Sequence, residues 1–191
     1  MAPESIRIAT VADAGAVAAV YAPYVTETVI SFEADPPGEA EMAGRMARIA
    51  AACPWLVYDV DGEVLGYAYA GPHAERAAYR WSVDATVYVA RPAHRQGIGR
   101  ALYERLEAIL KLQGFHTAYA GITLPNAASV GLHEARGYRP VGVYREVGYK
   151  MGAWHDVGWW GLRLGPAASE PASPRPFSEE IFRRATSGVR D

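Results

Sequence analysis

The residues best suited to chemistry form a turn that carries two glycines. Residues 94–100 read His-Arg-Gln-Gly-Ile-Gly-Arg and lie between a β-rich run and an amphipathic run. Gly97 and Gly99 let the backbone approach a ligand closely, while Arg95 and Arg100 add positive charge. Consecutive backbone N–H groups at the start of a helix bind anions. The turn could therefore hold a phosphate group, although two glycines could equally serve only to ease a strand-to-helix turn.

The sequence disfavours several other kinds of site. No Gly-Lys-Ser or Gly-Lys-Thr follows the turn, and its glycine spacing differs from that of nicotinamide and flavin sites. The five histidines lack the spacing of metal ligands, so no metal is predicted. Cys53 has no visible base partner, so we predict a structural role for it and no acyl-cysteine intermediate.

Length and composition limit the classes of protein that fit. The chain has 191 residues, 50% of them hydrophobic, and a net charge of −2 from 19 basic and 21 acidic residues. This balance argues against nucleic acid as a partner, and no apolar run approaches the roughly 20 residues that span a bilayer. The single cysteine and the lack of a visible signal peptide predict a cytoplasmic protein.

Strand-like and helix-like segments alternate along the chain and predict a mixed α/β fold that positions the turn. Apolar residues at helical spacing predict helices over 16–24, 39–52, 97–113 and 126–136. Thr10 and Asp13 are expected to cap the first of these helices. β-rich runs predict strands over 5–9, 55–60, 63–70, 81–90, 116–123, 138–145 and 154–164, with Asp61-Gly62 as a tight hairpin turn.

The last part of the chain has a different character. Residues 166–191 hold four of the 13 prolines and show little apolar periodicity. We expect most of this tail to be irregular, with Phe177, Ile181 and Phe182 available to dock on the domain or on a partner. The predicted organisation is thus one domain over residues 5–165 followed by a tail over 166–191.

Several motifs in the chain occur together in one known family. They are PWLV at 54–57, GYAYAGP at 66–72, TVYV at 86–89, LPN at 124–126, LHEARGY at 132–138 and GAWHDVGWW at 152–160. With the glycine turn, these motifs resemble the GNAT N-acetyltransferase superfamily, and more narrowly its phosphinothricin and methionine sulfoximine acetyltransferase group. The resemblance runs from about residue 6 to residue 164 and leaves the tail uncovered.

The resemblance implies a fold, a cosubstrate and an assembly. It implies an α/β (α+β) domain with a mixed, mainly antiparallel central sheet flanked by helices, acetyl-CoA as cosubstrate without a metal, and a homodimer. His94 stands where the turn motif prefers Gln or Arg, but a cradle of backbone N–H groups should survive this change. The implied acetyl-CoA contacts are Val87, Tyr88, Val89, Arg95, Gln96, Gly97, Ile98, Gly99, Arg100, Asn126 and Ser129. For Asn126 and Ser129, holding the loop or starting the helix are alternatives.

Two residues stand where the resemblance places catalytic groups. Asp84 occupies a position where the group usually has glutamate, and its side chain is shorter by roughly 1.5 Å. It could accept the amine proton directly, accept it through water, or only bind the ammonium group. The structural alternatives are a carboxylate on a solvated strand face or one paired with Arg80. His133 stands where many relatives have a tyrosine that protonates the departing thiolate, and packing beneath the sheet is its alternative.

The implied acceptor is a small amino acid whose α-amine is acetylated, of the phosphinothricin, methionine sulfoximine or methionine sulfone type. A peptide or polyamine amine, or a non-catalytic module that binds acyl-CoA, are the competing hypotheses. Basic residues would neutralise the acceptor carboxylate, although a solvated surface position is the default for each. The candidate substrate-binding residues are Phe32, Arg76, Arg80, Asp84, Ala85, Thr86 and Lys150.

Overall fold

The computed structural model describes residues 5–187. In chain order, its helices and strands are β1 (Ser5–Ile8), α1 (Ala14–Thr26), α2 (Glu39–Ala50), β2 (Trp55–Val60), β3 (Glu63–Pro72), β4 (Ser82–Val89), α3 (Ile98–Gln113), β5 (Thr117–Leu124), α4 (Ala127–Ala135), β6 (Arg139–Lys150), β7 (Ala153–Arg163) and α5 (Glu179–Ser187). None of these helices has the length and apolar character needed to cross a membrane.

Local sequence signals account for several of the element boundaries. The backbone N–H of Thr10 donates to Asp13 Oδ2 at 2.7 Å and caps the 3-10 turn that leads into α1. Asp61 and Gly62 both have positive φ, +53° and +85°, as the two-residue turn between β2 and β3 requires. Gly114 has φ +91° and ends α3. The predicted cap and the predicted hairpin turn are confirmed.

The strands form one seven-stranded sheet in the order β1-β2-β3-β4-β5-β7-β6. Neighbouring strands are antiparallel except for β4 and β5, which run parallel. The predicted fold class, a mixed and mainly antiparallel sheet flanked by helices, is confirmed. Because the single parallel pair needs a crossover connection, α3 and the glycine turn lie between β4 and β5 in the chain.

The two faces of the sheet are covered by different helices. Trp55 and Val57 of β2 pack with residues of α1 and α2, while Leu56, between them, packs with residues of α3. This alternation follows from the two-residue period of a strand. Leu102 and Leu106 of α3 are fully buried against the second face. Each face of the sheet thus has its own hydrophobic cluster.

The tail is only partly irregular. Residues 166–178 have no helix or strand, as expected, but Glu179–Ser187 form α5, where irregular chain is predicted. The helix is stable because Ile181 and Ala185, one turn apart, are buried in the cluster that contains α3. Phe177 and Phe182 also pack there, so the expected docking residues do contact the domain. Residues 188–191 lie outside the described residues, and the domain boundary at residue 165 stays a prediction.

Replacing Ile181 with alanine should lower the free energy of unfolding by about 2 kcal/mol, because it removes buried methyl groups and leaves a cavity between α5 and α3. Chemical denaturation measures the change. Arg183→Ala is the matched control, since Arg183 is exposed on the same helix. An unchanged midpoint in Ile181→Ala would show that α5 contributes nothing to the stability of the domain.

Candidate active site

A gap opens in the centre of the sheet where β4 and β5 separate. The two strands pair only from Ser82 to Asp84 on β4 and from Thr117 to Tyr119 on β5, although both continue for five further residues. Their remaining edges therefore face each other without a shared ladder. An extended ligand with amide groups can bind such edges as an added strand. Asp84 is the last paired residue and stands at the apex of the gap.

The backbone of β4 offers hydrogen-bonding groups to this gap. The N–H of Ala90 donates to Leu65 on β3, and successive residues of a strand direct their peptide groups to opposite edges. The peptide groups of Ala85, Val87 and Val89 thus face the gap. Tyr103 donates to the carbonyl of Ala85 and Tyr24 to that of Val89. Among the described residues, no side chain occupies the peptide group of Val87.

A cavity of about 470 Å³ extends from this gap to the glycine turn. It is lined by β4, by the turn and the start of α3, and by the start of α4. Every predicted acetyl-CoA contact lines it except Gln96, whose side chain donates back to the carbonyl of Pro92 at 3.2 Å. The lining residues among the predicted contacts are Val87, Tyr88, Val89, Arg95, Gly97, Ile98, Gly99, Arg100, Asn126 and Ser129.

The turn and the first residues of α3 lie at one end of this cavity. Gly97 has φ +84° and Arg95 has φ +63°, so the chain passes twice through the left-handed region before α3 begins at Ile98. The first N–H groups of a helix have no partner within the helix, and no acidic residue lies in the first turn of α3. The side chains of Arg95 and Arg100 line the same cavity and add positive charge.

His94 and Tyr24 fix the turn to the end of β4. The Tyr24 hydroxyl donates to the carbonyl of Val89 at 2.5 Å, and His94 Nε2 lies 2.8 Å from that hydroxyl and 3.0 Å from the same carbonyl. The imidazole therefore holds the backbone of the turn in place. That a cradle of backbone N–H groups survives the change to histidine at position 94 stays a prediction.

Asp84 is a partly exposed carboxylate with one close partner. Its Oδ1 lies 2.6 Å from Nδ1 of His73, and the residue opposite it on β3 is Gly71, which has no side chain to cover it. Burial raises the pKa of the Asp84 carboxyl above its ordinary value, and the hydrogen bond to His73 opposes that increase. Arg80, the predicted structural partner, instead donates to the carbonyl of Ala77 at 2.9 Å.

His133 is buried among aromatic side chains, as the alternative prediction expects, while its catalytic role stays a prediction. It is 3% exposed, with Nδ1 2.7 Å from the carbonyl of Ser129 and Nε2 3.0 Å from the Tyr103 hydroxyl. Burial lowers the pKa of its imidazole, which favours the neutral form over a proton donor. His133 is also absent from the cavity lining. It braces α4 against Tyr103, whose hydroxyl in turn contacts Ala85 of β4.

Asn126 caps α4 as the alternative interpretation expects. Its Oδ1 accepts from the backbone N–H of Ser129 at 3.1 Å, while both residues also line the cavity. The loop is thus rigid where the cavity ends.

A second cavity, of about 530 Å³, lies on the face of the sheet covered by α1 and α2. Thr86 lines it, and Tyr88 lines both cavities, so the two meet at β4. Asp84 points to this same face because residues 84, 86 and 88 alternate with 85 and 87. Ala85 is buried on the opposite face beside α3, so its predicted contact with substrate is not supported.

The predicted basic residues have other partners. Lys150 Nζ donates to the carbonyls of Val25 and Ser31, both at 2.6 Å, and so fixes the segment after α1. Arg76 and Arg80 line a different cavity, beside tail residues 173–176. Among the described residues, none of these three side chains contacts Asp84, and their role in binding the carboxylate of the substrate stays a prediction.

Phe32 is 40% exposed and lies against the hairpin of β6 and β7. Its ring centroid is 6.2 Å from that of His155, and a Cβ on Gly148 would overlap its ring. The side chain thus borders the same face of the sheet as Lys150, without a contact to Asp84.

Sequence reasoning missed His73. The register pairs Pro72 with Val83, so the next residue after β3 lies beside the start of β4 and within reach of Asp84. A loop of nine residues separates Pro72 from Ser82. The register of β3 and β4 could not be predicted from the sequence, because a short hairpin turn fixes the register of two strands and a long loop does not. The motif GYAYAGP at 66–72 is the sequence signal that could have identified His73, because His73 directly follows it.

The chain is similar to known acetyltransferases over most of its length. The profile of the acetyltransferase (GNAT) domain family matches residues 6–159. A phosphinothricin N-acetyltransferase of Streptomyces viridochromogenes is 43% identical over 174 residues, which are 91% of this chain and 93% of that protein. An L-methionine sulfoximine/L-methionine sulfone acetyltransferase of Pseudomonas aeruginosa is 36% identical, covering 87% of this chain and 98% of that protein.

A solved structure that is also similar in sequence has the same fold. The crystal structure of a GNAT superfamily phosphinothricin acetyltransferase from Sinorhizobium meliloti in complex with AcCoA superposes with a TM-score of 0.84. The two sequences are 34% identical, and the match covers 88% of this chain and 93% of that one. The fold and the sequence thus indicate the same relatives.

Proposed function

The chain belongs to the acetyltransferase (GNAT) domain family, and we propose that it transfers the acetyl group of acetyl-CoA to the α-amine of a small amino acid related to phosphinothricin or methionine sulfoximine. It is an acetyl-CoA-dependent N-acetyltransferase. The observation that carries the proposal is the gap between β4 and β5, which links the glycine turn at one end to Asp84 at the other.

The fit of acetyl-CoA to this site supports the proposal. The pyrophosphate is assigned to the N–H groups of the turn and the start of α3, with Arg95 and Arg100 beside it. The pantetheine arm carries amides that can pair with the free edge of β4. The N–H of Val87 faces the gap and is suited to polarise the thioester carbonyl. Within residues 5–187, no group of His, Cys, Asp or Glu side chains could hold a metal ion.

The acceptor amine is assigned to the face of β4 that carries Asp84 and Thr86. A carboxylate there attracts the ammonium form of the substrate, and the amine must lose a proton before it can attack the thioester carbon. Holding amine and thioester together at the gap supplies much of the rate, because the reaction becomes effectively intramolecular. Departure of the thiolate then completes direct transfer, with no acyl-enzyme: Cys53 is buried, and burial raises the pKa of its thiol to about 12.

A homodimer in the cytoplasm is part of the proposal. The hairpin of β6 and β7 lies at one edge of the sheet and exposes an unusual number of large apolar side chains, which a second copy would cover. These are Val141, Val143, Tyr144, Val147, Tyr149, Met151 and Trp154. The single, unpaired cysteine is consistent with a reducing compartment.

Thiol release from acetyl-CoA tests the function directly. We expect turnover with phosphinothricin, methionine sulfoximine and methionine sulfone, because each offers an α-amine on a small amino acid. N-acetylphosphinothricin is the matched control, since its amine is already blocked. Turnover only with a lysine peptide or spermidine would contradict the acceptor class. Tight binding of acetyl-CoA without turnover of any amine would indicate a module that binds acyl-CoA without catalysis.

A further inference from the structure

His73 has the surroundings of a general base. Its Nδ1 lies 2.6 Å from Asp84 Oδ1, and its ring packs on Tyr119 with centroids 4.7 Å apart. Trp159 meets the ring edge-on at 5.8 Å, and Tyr79 lies 6.0 Å away. Three aromatic side chains and one carboxylate thus fix the orientation of the imidazole over the apex of the gap.

The geometry also fixes which ring nitrogen is available. An ionised carboxylate only accepts hydrogen bonds, so the Nδ1 of His73 carries the proton that it donates to Asp84. Among the described residues, Nε2 of His73 has no hydrogen-bond partner, and 27% of the side chain is exposed. A neutral imidazole held in this tautomer leaves the lone pair of Nε2 free to accept a proton, which is the arrangement of a carboxylate–histidine pair in hydrolases.

We propose that Nε2 of His73, oriented by Asp84, takes the proton from the acceptor ammonium group. The inference rests on the proposed function and names a further catalytic residue for it. It also accounts for the short side chain of Asp84, because the proton is then accepted by the imidazole of His73, which lies beyond the Asp84 carboxylate. Asp84 then acts as the positioning residue, and its negative charge balances the imidazolium that forms.

The step balances in atoms and charge. The R–NH₃⁺ group gives one proton to Nε2, and the free amine attacks the thioester carbon to form the C–N bond. When the C–S bond breaks, the thiolate takes the second proton from the nitrogen. The imidazolium returns the first proton to solvent, to which His73 is partly exposed. The products are the acetylated amine, the free thiol of CoA and one proton.

The charges around His73 suit this role. Of the side chains in contact with it, Asp84 on β4 is the one that is charged near neutral pH, while Tyr79, Tyr119 on β5 and Trp159 on β7 are neutral. No cation among these contacts opposes protonation of the ring. The step forms an imidazolium, and both aromatic faces and a carboxylate can lie beside a cation.

Two substitutions separate a base from a residue that only positions Asp84. His73→Asn keeps an N–H donor near the place of Nδ1 but has no group at Nε2, whereas His73→Phe keeps the ring packing and removes both nitrogens. We expect each variant to lose about 100-fold in kcat/KM near neutral pH while its affinity for acetyl-CoA stays unchanged. The loss should shrink as pH rises, because the substrate amine then deprotonates without help. His116→Asn is the control, because His116 is partly buried and its side chain has no hydrogen-bond partner among the described residues.

Two results with these variants would overturn the proposal for His73. Wild-type kcat/KM in His73→Asn, with a loss only in His73→Phe, would overturn the proposal and leave His73 as a support for Asp84. An equal loss at every pH in both variants would also overturn it, since packing damage does not depend on the protonation of the substrate. The assay uses whichever amine the wild-type chain acetylates. A wild-type chain that acetylates no amine overturns the proposed function instead.

A spectroscopic measurement tests the pair without turnover. Nitrogen NMR of the labelled imidazole should show protonated Nδ1 and unprotonated Nε2 in the wild-type chain, with this preference lost in Asp84→Asn. Protonation of Nε2 alone in the neutral ring would contradict the proposal, because no lone pair would then face the substrate.

Discussion

Asp84→Asn is expected to lower kcat/KM for the amino acid acceptor by about 1000-fold, the middle of the range for loss of general base catalysis. The amide has nearly the same shape as the carboxylate but no charge. It cannot attract the ammonium group, and it no longer fixes His73 in the tautomer with a free Nε2. Because Asp84 lies at the apex of the gap, away from the glycine turn, the affinity for acetyl-CoA should stay unchanged.

The measurement is steady-state thiol release beside a titration of acetyl-CoA binding. Asp59→Asn is the matched control, because Asp59 is also a strand carboxylate that accepts hydrogen bonds from a basic side chain, that of Arg7. Asp59 lies on β2 and lines neither cavity beside β4. A loss of less than tenfold in Asp84→Asn would show that the reaction does not depend on the carboxylate.

Gly97→Val is expected to weaken acetyl-CoA binding by about 100-fold. A β-branched side chain strongly disfavours the φ of +84° found at Gly97, so the turn must move. Hydrogen bonds to a charged group contribute about 1.5 kcal/mol each. Displacing two N–H groups from the pyrophosphate therefore costs about 3 kcal/mol, which corresponds to this change in affinity.

Gly114→Val separates this effect from general backbone strain. Gly114 ends the same helix with φ +91°, but it lies at the opposite end of α3 and is absent from the cavity lining. Both variants should unfold at lower denaturant concentration, and only Gly97→Val should raise the dissociation constant for acetyl-CoA. Equal affinity in the two variants would show that the turn does not bind the pyrophosphate.

The elements were predictable because their signals are local. The Asp61-Gly62 turn, the apolar stripe of α3 and the cap formed by Thr10 and Asp13 each depend on residues within a few positions of one another. The helix Glu179–Ser187 was missed because its stability comes from Ile181 and Ala185 packing on distant α3. A segment so short has little helical preference of its own.

Only the part of the site that consists of backbone groups could be predicted from the sequence. The turn and β4 form the cavity through main-chain geometry, so motifs identify nearly all of its lining. Side-chain roles depend on tertiary partners that no spacing shows. Lys150 is occupied by two carbonyls, His133 is enclosed by Tyr103 and Ser129, and the partner of Asp84 comes from the end of β3.

The three residue pairs that join β4 to β5 also have a mechanical meaning. Within residues 5–187, strands β1 to β4 and strands β5 to β7 share no other sheet contact, so the ladder that connects them is the narrowest part of the sheet. A ligand that hydrogen-bonds to the free edges of both β4 and β5 connects the two halves of the sheet. By mass action, a ligand at 100 times its dissociation constant adds about 2.7 kcal/mol of stability. Bound acetyl-CoA is therefore expected to connect the two halves of the sheet and to raise the free energy of unfolding of the enzyme.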